Sequence, residues 1–444
     1  MYKTMKMKLY LKKHELQILR MLSRAANSLY NVALFNVRQH FFKTNKYLSY
    51  YDNDRLCKDN ENYKILNSNM AQAIVREVDL SMKSFFGLLK LKRQNKYPEK
   101  VSLPRYKKKN SVNTLVINFV RCREDNNKLI LELPRSNFIK KISNLLNDEF
   151  IRTLKYIPNN KLGLIDKLIL KLKIPKLIKD KEIKVVKLIP KYNGAFFEAH
   201  FTYIDNLAKE KPKPMNNEFM AIDFGLNNLI TAIVSNKSSF IIDGRYIKSI
   251  NQYYNKHLAR LRSINSKTQN NQLSNKMVRI MSKRANQVDY YMYKTARMVI
   301  NKARDENVGT IILGYNEGFK QNINIGKVNN QSFVSIPLQK LKDRICLLAK
   351  EENINIIIQE ESYTSKASFF DNDDIPTYSS NDSEHYKFSG KRIKRGLYQT
   401  SNGSIINADI NGALNILKKS KLDKEVVLSL QCSGVNTPIR LKVV

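Results

Sequence analysis

Phe219-Met220-Ala221-Ile222-Asp223-Phe224-Gly225-Leu226-Asn227 is the stretch on which the reading of this chain turns. An apolar strand runs directly into an aspartate. A carboxylate there is costly unless something compensates it, and a divalent metal ion does so well. Gly225 lets the backbone turn tightly into a following strand. Taken alone, Asp-x-Gly equally suits an acid that caps a hairpin turn, so its weight depends on which other acids can join it.

Two other places supply them. Glu360-Glu361 follows the apolar run Ile354 to Ile358. Adjacent residues at a strand end point to opposite faces, so one of these acids can reach a metal while the other meets solvent or a basic neighbour. Which one does so stays open. Asp409, in Asn407-Ala408-Asp409-Ile410-Asn411-Gly412-Ala413-Leu414-Asn415, opens an apolar helical run, a position the helix dipole also favours for an acid. Strand and helix patterns alternate through this half: strand, turn and strand over 218–240, helix over Ile250 to Asp305 with a break near Gln269 to Gln272, strand at Gly309 to Gly314, helix at Ile336 to Glu352 and helix at Ala408 to Lys419. That order argues for an α/β sheet, at one end of which Asp223, Glu360 or Glu361, and Asp409 can converge. Hard oxygen ligands suit Mg²⁺ or Mn²⁺, and a pair of such ions can clamp a phosphodiester for hydrolysis.

The charge points the same way. The chain has 444 residues with 78 Lys plus Arg against 39 Asp plus Glu, a formal net charge of +39. Such self-repulsion works against compactness, and a nucleic acid would relieve it by counterion release. An AT-rich coding bias would explain abundant Lys and Asn but not the shortage of acids. Hydrophobic residues make up 42% of the chain, too many for a disordered tail. The four cysteines, Cys57, Cys122, Cys346 and Cys432, form no C-x-x-C pair, which excludes a disulfide framework or zinc signature and suits a reducing cytosol. No apolar run is long enough to span a bilayer, and Met1 to Lys13 lacks a signal-peptide core. The expectation is a cytoplasmic protein with no membrane partner. The five histidines show no ligand spacing and take no role.

The first half reads differently. Lys3 to Leu11 alternates as a strand, and helical spacing runs from His14 to His40 and from Ala71 to Leu91. Tyr47 to Asn67 is polar and reads as loop. Lys90 to Asn110 turns basic, with Lys92, Arg93, Arg105, Lys107, Lys108 and Lys109 interleaved by Tyr97 and Tyr106. Such a run suits phosphates and stacked bases, or else a solvated linker. Residues 111–205 look mostly β, with Asn193-Gly194 as a hairpin signal. Asn206 to Asn217 reads as the linker between domains.

In order, Asp223-x-Gly225, Glu360-Glu361-Ser362-Tyr363-Thr364-Ser365-Lys366 and Asn407-Ala408-Asp409-Ile410-Asn411-Gly412-Ala413 resemble the RuvC signature of the transposon-encoded TnpB/OrfB family, relatives of the type V CRISPR effector nucleases. Ala25 to Asn31 and Pro104-Arg105-Tyr106-Lys107 resemble that family's N-terminal helix and its Pro-Arg-aromatic-Lys element. The resemblance implies an RNase H-like (RuvC) α/β nuclease domain over 211–444, a helical recognition lobe over 13–104 and a β-barrel wedge from 1–12 with 105–210. It implies a guide RNA and a double-stranded DNA target as partners. Two departures stand out. The family's second acid lies in an earlier Glu-Asp-Leu string, where this chain has Ile311-Ile312-Leu313-Gly314-Tyr315-Asn316. Gly314 leaves a hole there that Glu360 or Glu361 could fill, a relocated catalytic Glu. The family's zinc ribbon is also missing. The insert 367–406 has no cysteine and ends in basic Lys391, Arg392, Lys394 and Arg395, so it is expected to hold no zinc and to touch nucleic acid. The leading expectation is an RNA-guided, metal-dependent DNA endonuclease with Asp223, Glu360 or Glu361, and Asp409 as metal ligands. The rivals are a catalytically silent guided repressor and a transposase acting directly on element ends.

Overall fold

A computed structural model divides the chain into two units, Met1–Ala208 and Lys209–Val444, and each contains both helices and sheet. The structure describes residues 2–118, 121–125, 128–132, 169–173, 176–178, 180–205, 218–236, 238–267, 273–316, 336–377, 386–394, 396–422, 429–430 and 437–443. The linker Asn206 to Asn217, the break Gln269 to Gln272 and Arg395 lie outside the described residues.

In the first unit β1 (Tyr2–Lys8) leads into a long helix α1 (Lys13–Thr44), followed by α2 (Tyr50–Cys57), α3 (Glu61–Ile65) and α4 (Ser68–Arg93). The apolar stripe of α1, through Leu19, Leu22, Ala26, Leu29 and Ala33, shares one core with Ile74 and Val78 of α4. Strands β2 (Leu115–Ile117), β6 (Ile183–Lys191) and β7 (Phe196–Ile204) join β1 in an antiparallel sheet ordered β1-β7-β6-β2. The alternation of β7 buries Phe197, Ala199, Phe201 and Tyr203 against that core. Asn193 and Gly194 turn the β6–β7 hairpin with φ of 56° and 78°. A separate three-stranded sheet holds β3 (Arg121–Asp125), β4 (Lys128–Glu132) and β5 (Ile169–Lys173).

One expectation fails here. Tyr47 to Asn67, read as loop, contains α2 and α3. Its polar residues cap and pack instead of unwinding. Ser49 accepts from the Asp52 N–H and Asn60 from the Asn62 N–H, both at helix starts. Buried Asn53 donates to the Ala33 carbonyl at 3.1 Å, and the Tyr63 hydroxyl donates to Asp54 at 3.1 Å.

In the second unit, β8 (Phe219–Phe224), β9 (Asn228–Val234) and β10 (Ser239–Asp243) form an antiparallel meander, and β11 (Thr310–Gly314) and β12 (Asn355–Gln359) add in parallel beyond β8. A last strand, β16 (Ile439–Leu441), lies parallel to β10 on the other edge, giving the order β12-β11-β8-β9-β10-β16. Helices α5 (Arg245–Lys267), α6 (Asn275–Asp305) and α7 (Leu338–Glu351) cover one face through Ile247, Met292, Val299, Leu341 and Ile345. Helix α8 (Ala408–Lys419) covers the other through Ile410, Ala413, Leu414 and Ile416. With both faces covered, the central strands read as unbroken apolar runs. The small sheet of β13 (Lys391–Lys394), β14 (Leu397–Gln399) and β15 (Ile405–Asn407) stands directly before α8.

Candidate active site at the sheet end

Strand parity places the acids. Met220 and Ile222 of β8 join the core under α5 to α7, while Phe219 and Ala221 join the core under α8. Asp223 has the parity of Ala221, so its carboxyl falls on the α8 side. On β11 the same rule sends Ile312, and hence Gly314, toward α8. Leu313 is paired with Ile222, which sets Gly314 level with Asp223.

Helix α8 starts beside them. Asn407 caps it, accepting from the Asp409 and Ile410 N–H groups, so Asp409 sits in the first turn. Gly412 lies one turn on, and a Cβ there would stand 3.4 Å from Asp223 Oδ2. Two further asparagines tie the helix to the Tyr363-Thr364-Ser365-Lys366 segment. Asn411 accepts from the Phe369 N–H at 3.0 Å and donates to the Ala367 carbonyl at 2.7 Å. Asn415 donates to the Thr364 carbonyl at 2.8 Å. The two motif strings are thus bonded to each other, and the loop after Glu361 is fixed from α8.

The neighbouring glutamates separate. Glu360 pairs with Lys419, and its Oε1 accepts from the Ser362 N–H at 2.8 Å. Burial opposes its charge, but these hydrogen bonds and the lysine hold it below the ordinary glutamate range. Glu361 turns to Gly314. A Cβ at position 314 would lie 3.3 Å from Glu361 Oε2 and would overlap Ile416. The backbone of Glu361 is held by Asn316, whose Oδ1 accepts from its N–H at 3.0 Å. Burial, then the charge of Glu360, push the Glu361 carboxyl up to about 7. Burial, then the charges of Glu361 and Asp409, push Asp223 up to about 8, against the pull of Arg392.

Asp409 has two partners. Asn228 donates to its Oδ2 at 2.6 Å, and Arg392 of β13 approaches its Oδ1 at 3.2 Å. Among the described residues, no three His, Cys, Asp or Glu side chains stand in ligand geometry. The donor chemistry nonetheless fits a hard divalent cation: burial and the charges of Glu361 and Asp409 oppose the charge of Asp223 at one sheet end, and a cation would relieve that.

The other sequence-selected residues scatter. Lys391 and Lys394 are exposed on β13 beside Arg392. In the first unit, Lys92 and Arg93 are exposed on the last turn of α4, and Arg105, Tyr106, Lys108 and Lys109 are exposed in the segment that follows. Lys107 differs. Its ammonium pairs with Glu77 at 2.7 Å and lies 4.0 Å over the Tyr30 ring. Asn27 donates to the Lys108 carbonyl and Asn31 to the Lys107 carbonyl, so this basic segment is laced to α1. Sequence reasoning gave no role to Asn228, Asn316, Asn411 or Asn415. The one visible signal was asparagine, twice, four residues apart in the otherwise apolar run of α8. Arg245 and Arg440, which also border the cleft at Asp409, left no sequence signal because they come from the start of α5 and from β16, far apart in sequence.

Residues 202–320 match the OrfB_IS605 family model, described as a probable transposase. Over 432 residues, spanning 90% of this chain and 83% of the relative, the chain is 26% identical to the TnpB-like protein ORF457 of Acidianus two-tailed virus. Two solved structures also align with it. A Cas12f1–sgRNA–target DNA complex gives 15% identity and a TM-score of 0.49 over 91% of this chain and 83% of that one. A CRISPR-Cas12f ternary complex gives 16% and 0.32 over 92% and 82%. At those scores the two overlays bear on neither fold nor function.

Proposed function

We propose that this chain, which matches the OrfB_IS605 family model over residues 202–320 and is similar to a TnpB-like protein, is an RNA-guided, divalent-metal-dependent endonuclease that cuts double-stranded DNA. The observation that carries the reading is the gathering of Asp223, Glu361 and Asp409 at one end of the six-stranded sheet, with Glu361 turned into the space that Gly314 leaves. The sheet order and its single antiparallel strand, β9, between β8 and β10 support an RNase H-like nuclease domain. The helices α1 to α4 are the proposed recognition lobe, and the sheet of β1, β2, β6 and β7 belongs to the proposed wedge. The formal charge of +39 supports guide RNA and DNA as partners.

In this reading Asp223, Glu361 and Asp409 hold Mg²⁺ or Mn²⁺. Bound there, the metal supplies an activated water and neutralises charge on the phosphodiester. The chain's own residues prepare the ground. Asn228 and Arg392 hold Asp409 in place, Asn316 fixes the backbone of Glu361, and Arg392 has guanidinium N–H groups left to meet a phosphate. Glu360 stays with Lys419 and supports the loop. Hydrogen bonds staple the described part of the insert: Asp373 accepts from Ser368 N at 2.7 Å and from Ser389 N at 3.1 Å.

The test is cleavage of a guide-matched duplex in Mg²⁺, after sequencing the RNA that co-purifies with the protein. Wild type should cut. Asp223→Ala and Asp409→Ala should each abolish cutting while binding persists, because the groups that hold phosphates lie elsewhere. Full activity in either variant sinks the site. The partners that Asp409 already has, Asn228 and Arg392, favour one rival, the silent repressor. That rival wins if wild type binds its target yet never cuts in Mg²⁺ or Mn²⁺. Strand joining without RNA would mark a transposase acting directly on element ends.

A further inference from the structure

Beside Asp409 the second unit opens a cleft of about 480 Å³, bordered by Asn228, Arg245, Arg392, Asn407 and Arg440. Its walls come from sequence positions far apart: the start of β9, the start of α5, β13 of the insert and the C-terminal strand β16. Three guanidiniums face it. Their side chains are 63%, 43% and 42% exposed for Arg245, Arg392 and Arg440, so they are open to a ligand.

Among the described residues, the cations outnumber their acids. Arg245 grips Asp243, its Nε lying 3.1 and 2.8 Å from the two carboxylate oxygens. Arg440 shares that same carboxylate at 3.6 Å. Arg392 reaches Asp409. Three guanidiniums thus divide two carboxylates, and each guanidinium carries five N–H donors in a fixed fork. A lining this polar and this cationic suits a phosphate far better than an apolar ligand.

The cleft is also linked to the carboxylates. Arg440 Nη1 donates to Asn228 Oδ1 at 3.0 Å, and Asn228 Nδ2 donates to Asp409 Oδ2 at 2.6 Å. An amide has one accepting and one donating end, so the arginine fixes which end of Asn228 faces Asp409. Whatever Arg440 holds is one amide away from the proposed metal ligand. β16 brings Arg440 there by pairing in parallel with β10, Arg440 opposite Ile241.

We infer that Arg245, at the start of α5, and Arg440, on β16, are the residues that hold the phosphodiester backbone of the cut strand in this cleft. The inference rests on the nuclease reading above and gives its site a strand track, and it assigns a binding role to the C-terminal strand.

The experiment uses the full chain with its co-purified RNA, in EDTA so that nothing is cut. A short fluorescent single-stranded DNA is titrated against wild type, Arg245→Ala, Arg440→Gln and the Arg245→Ala/Arg440→Gln double variant over a range of salt. The double variant should bind about ten-fold more weakly, and its log–log salt dependence should flatten by about 0.7 for each phosphate no longer neutralised. Thermal melting accompanies each variant. If the double variant melts early, Arg245→Ala decides alone, since that side chain is largely exposed and its pairing is confined to Asp243 among the described residues. Unchanged affinity and slope overturn the inference. So does a loss seen only with an RNA oligonucleotide of the same sequence. Cutting by wild type is assayed separately in Mg²⁺. A wild type that binds but never cuts removes the nuclease reading while the binding series still decides the cleft.

Discussion

The sheet end and the insert before α8 both collect acids, and they treat them oppositely. In the insert, Asp371 accepts from Ser368 Oγ and from the N–H and Oγ of Ser401. Burial opposes its charge, yet those hydrogen bonds hold it below the ordinary aspartate range. Asp373 is similarly supplied by Ser368 and Ser389. At the sheet end, Asp223 and Glu361 are pushed up to about 8 and about 7 by burial and by the charge of neighbouring acids. A fold that needs an acid for its own architecture surrounds it with donors. Acids crowded against burial and one another mark a candidate site for a cation. Glu360 and Glu361 make the contrast within two residues: Lys419 satisfies one, and the space at Gly314 receives the other.

The largest effect should come from neutralising those two in turn. Glu361→Gln keeps the shape and removes the charge, so cleavage should fall by about a thousand-fold, the equivalent of about 4 kcal/mol of transition-state stabilisation. Melting should not fall, because a strained buried charge has gone. Glu360→Gln should show the reverse, with cutting within a few-fold of wild type and a lower melting temperature, since Lys419 is 8% exposed and loses its ion-pair partner. Cleavage assays and melting curves on the two variants settle it. Equal losses of cutting would erase the distinction between them.

How much of this was legible in the sequence follows from physics. Apolar runs bounded by an acid or a glycine mark the ends of elements, so the strands at Asp223 and Gly314 and the helix at Asp409 could be read from one sequence. Parity along a strand then chose the face. Which of Glu360 and Glu361 turns to the hole at Gly314 could not be read, because the choice depends on Lys419, 59 residues away from Glu360. The helices α2 and α3 were hidden by their polar composition, since the groups that stabilise them, Ser49, Asn53 and Asn60, also favour loops. The cleft by Asp409 was invisible for a similar reason: its arginines meet only after β10 and β16 pair.

A smaller effect should come from the satisfied acids. Asp373→Ala leaves the N–H and hydroxyl donors of Ser389 and the N–H of Ser368 without their acceptor. The loss should be about 1–2 kcal/mol, read as a lower denaturant midpoint. Removing metal with EDTA should add nothing to that loss, because the staple is made of hydrogen bonds. An EDTA-dependent drop in wild-type melting that Asp373→Ala abolishes would instead put a metal in the insert.

The smallest effect extends the same division to cations. Lys107, Lys108 and Lys109 are adjacent, but among the described residues only Lys107 is already matched, by Glu77 at 2.7 Å and by the Tyr30 ring at 4.0 Å. Glu77 also accepts from Asn113 at 3.1 Å, so this carboxylate organises the crossing of the basic segment over α1 and α4. Lys107→Met should therefore lower the melting temperature and leave the salt dependence of nucleic-acid binding as it was. Neutralising the exposed pair Lys108 and Lys109 should leave melting alone and flatten the log–log salt slope by about 0.9 for each duplex phosphate no longer neutralised. The measurement is one salt titration and one melt for each variant. A flatter slope in Lys107→Met would mean that its ammonium leaves Glu77 for a phosphate when nucleic acid binds, and the division between spent and unspent charge would then be one that the partner itself redraws.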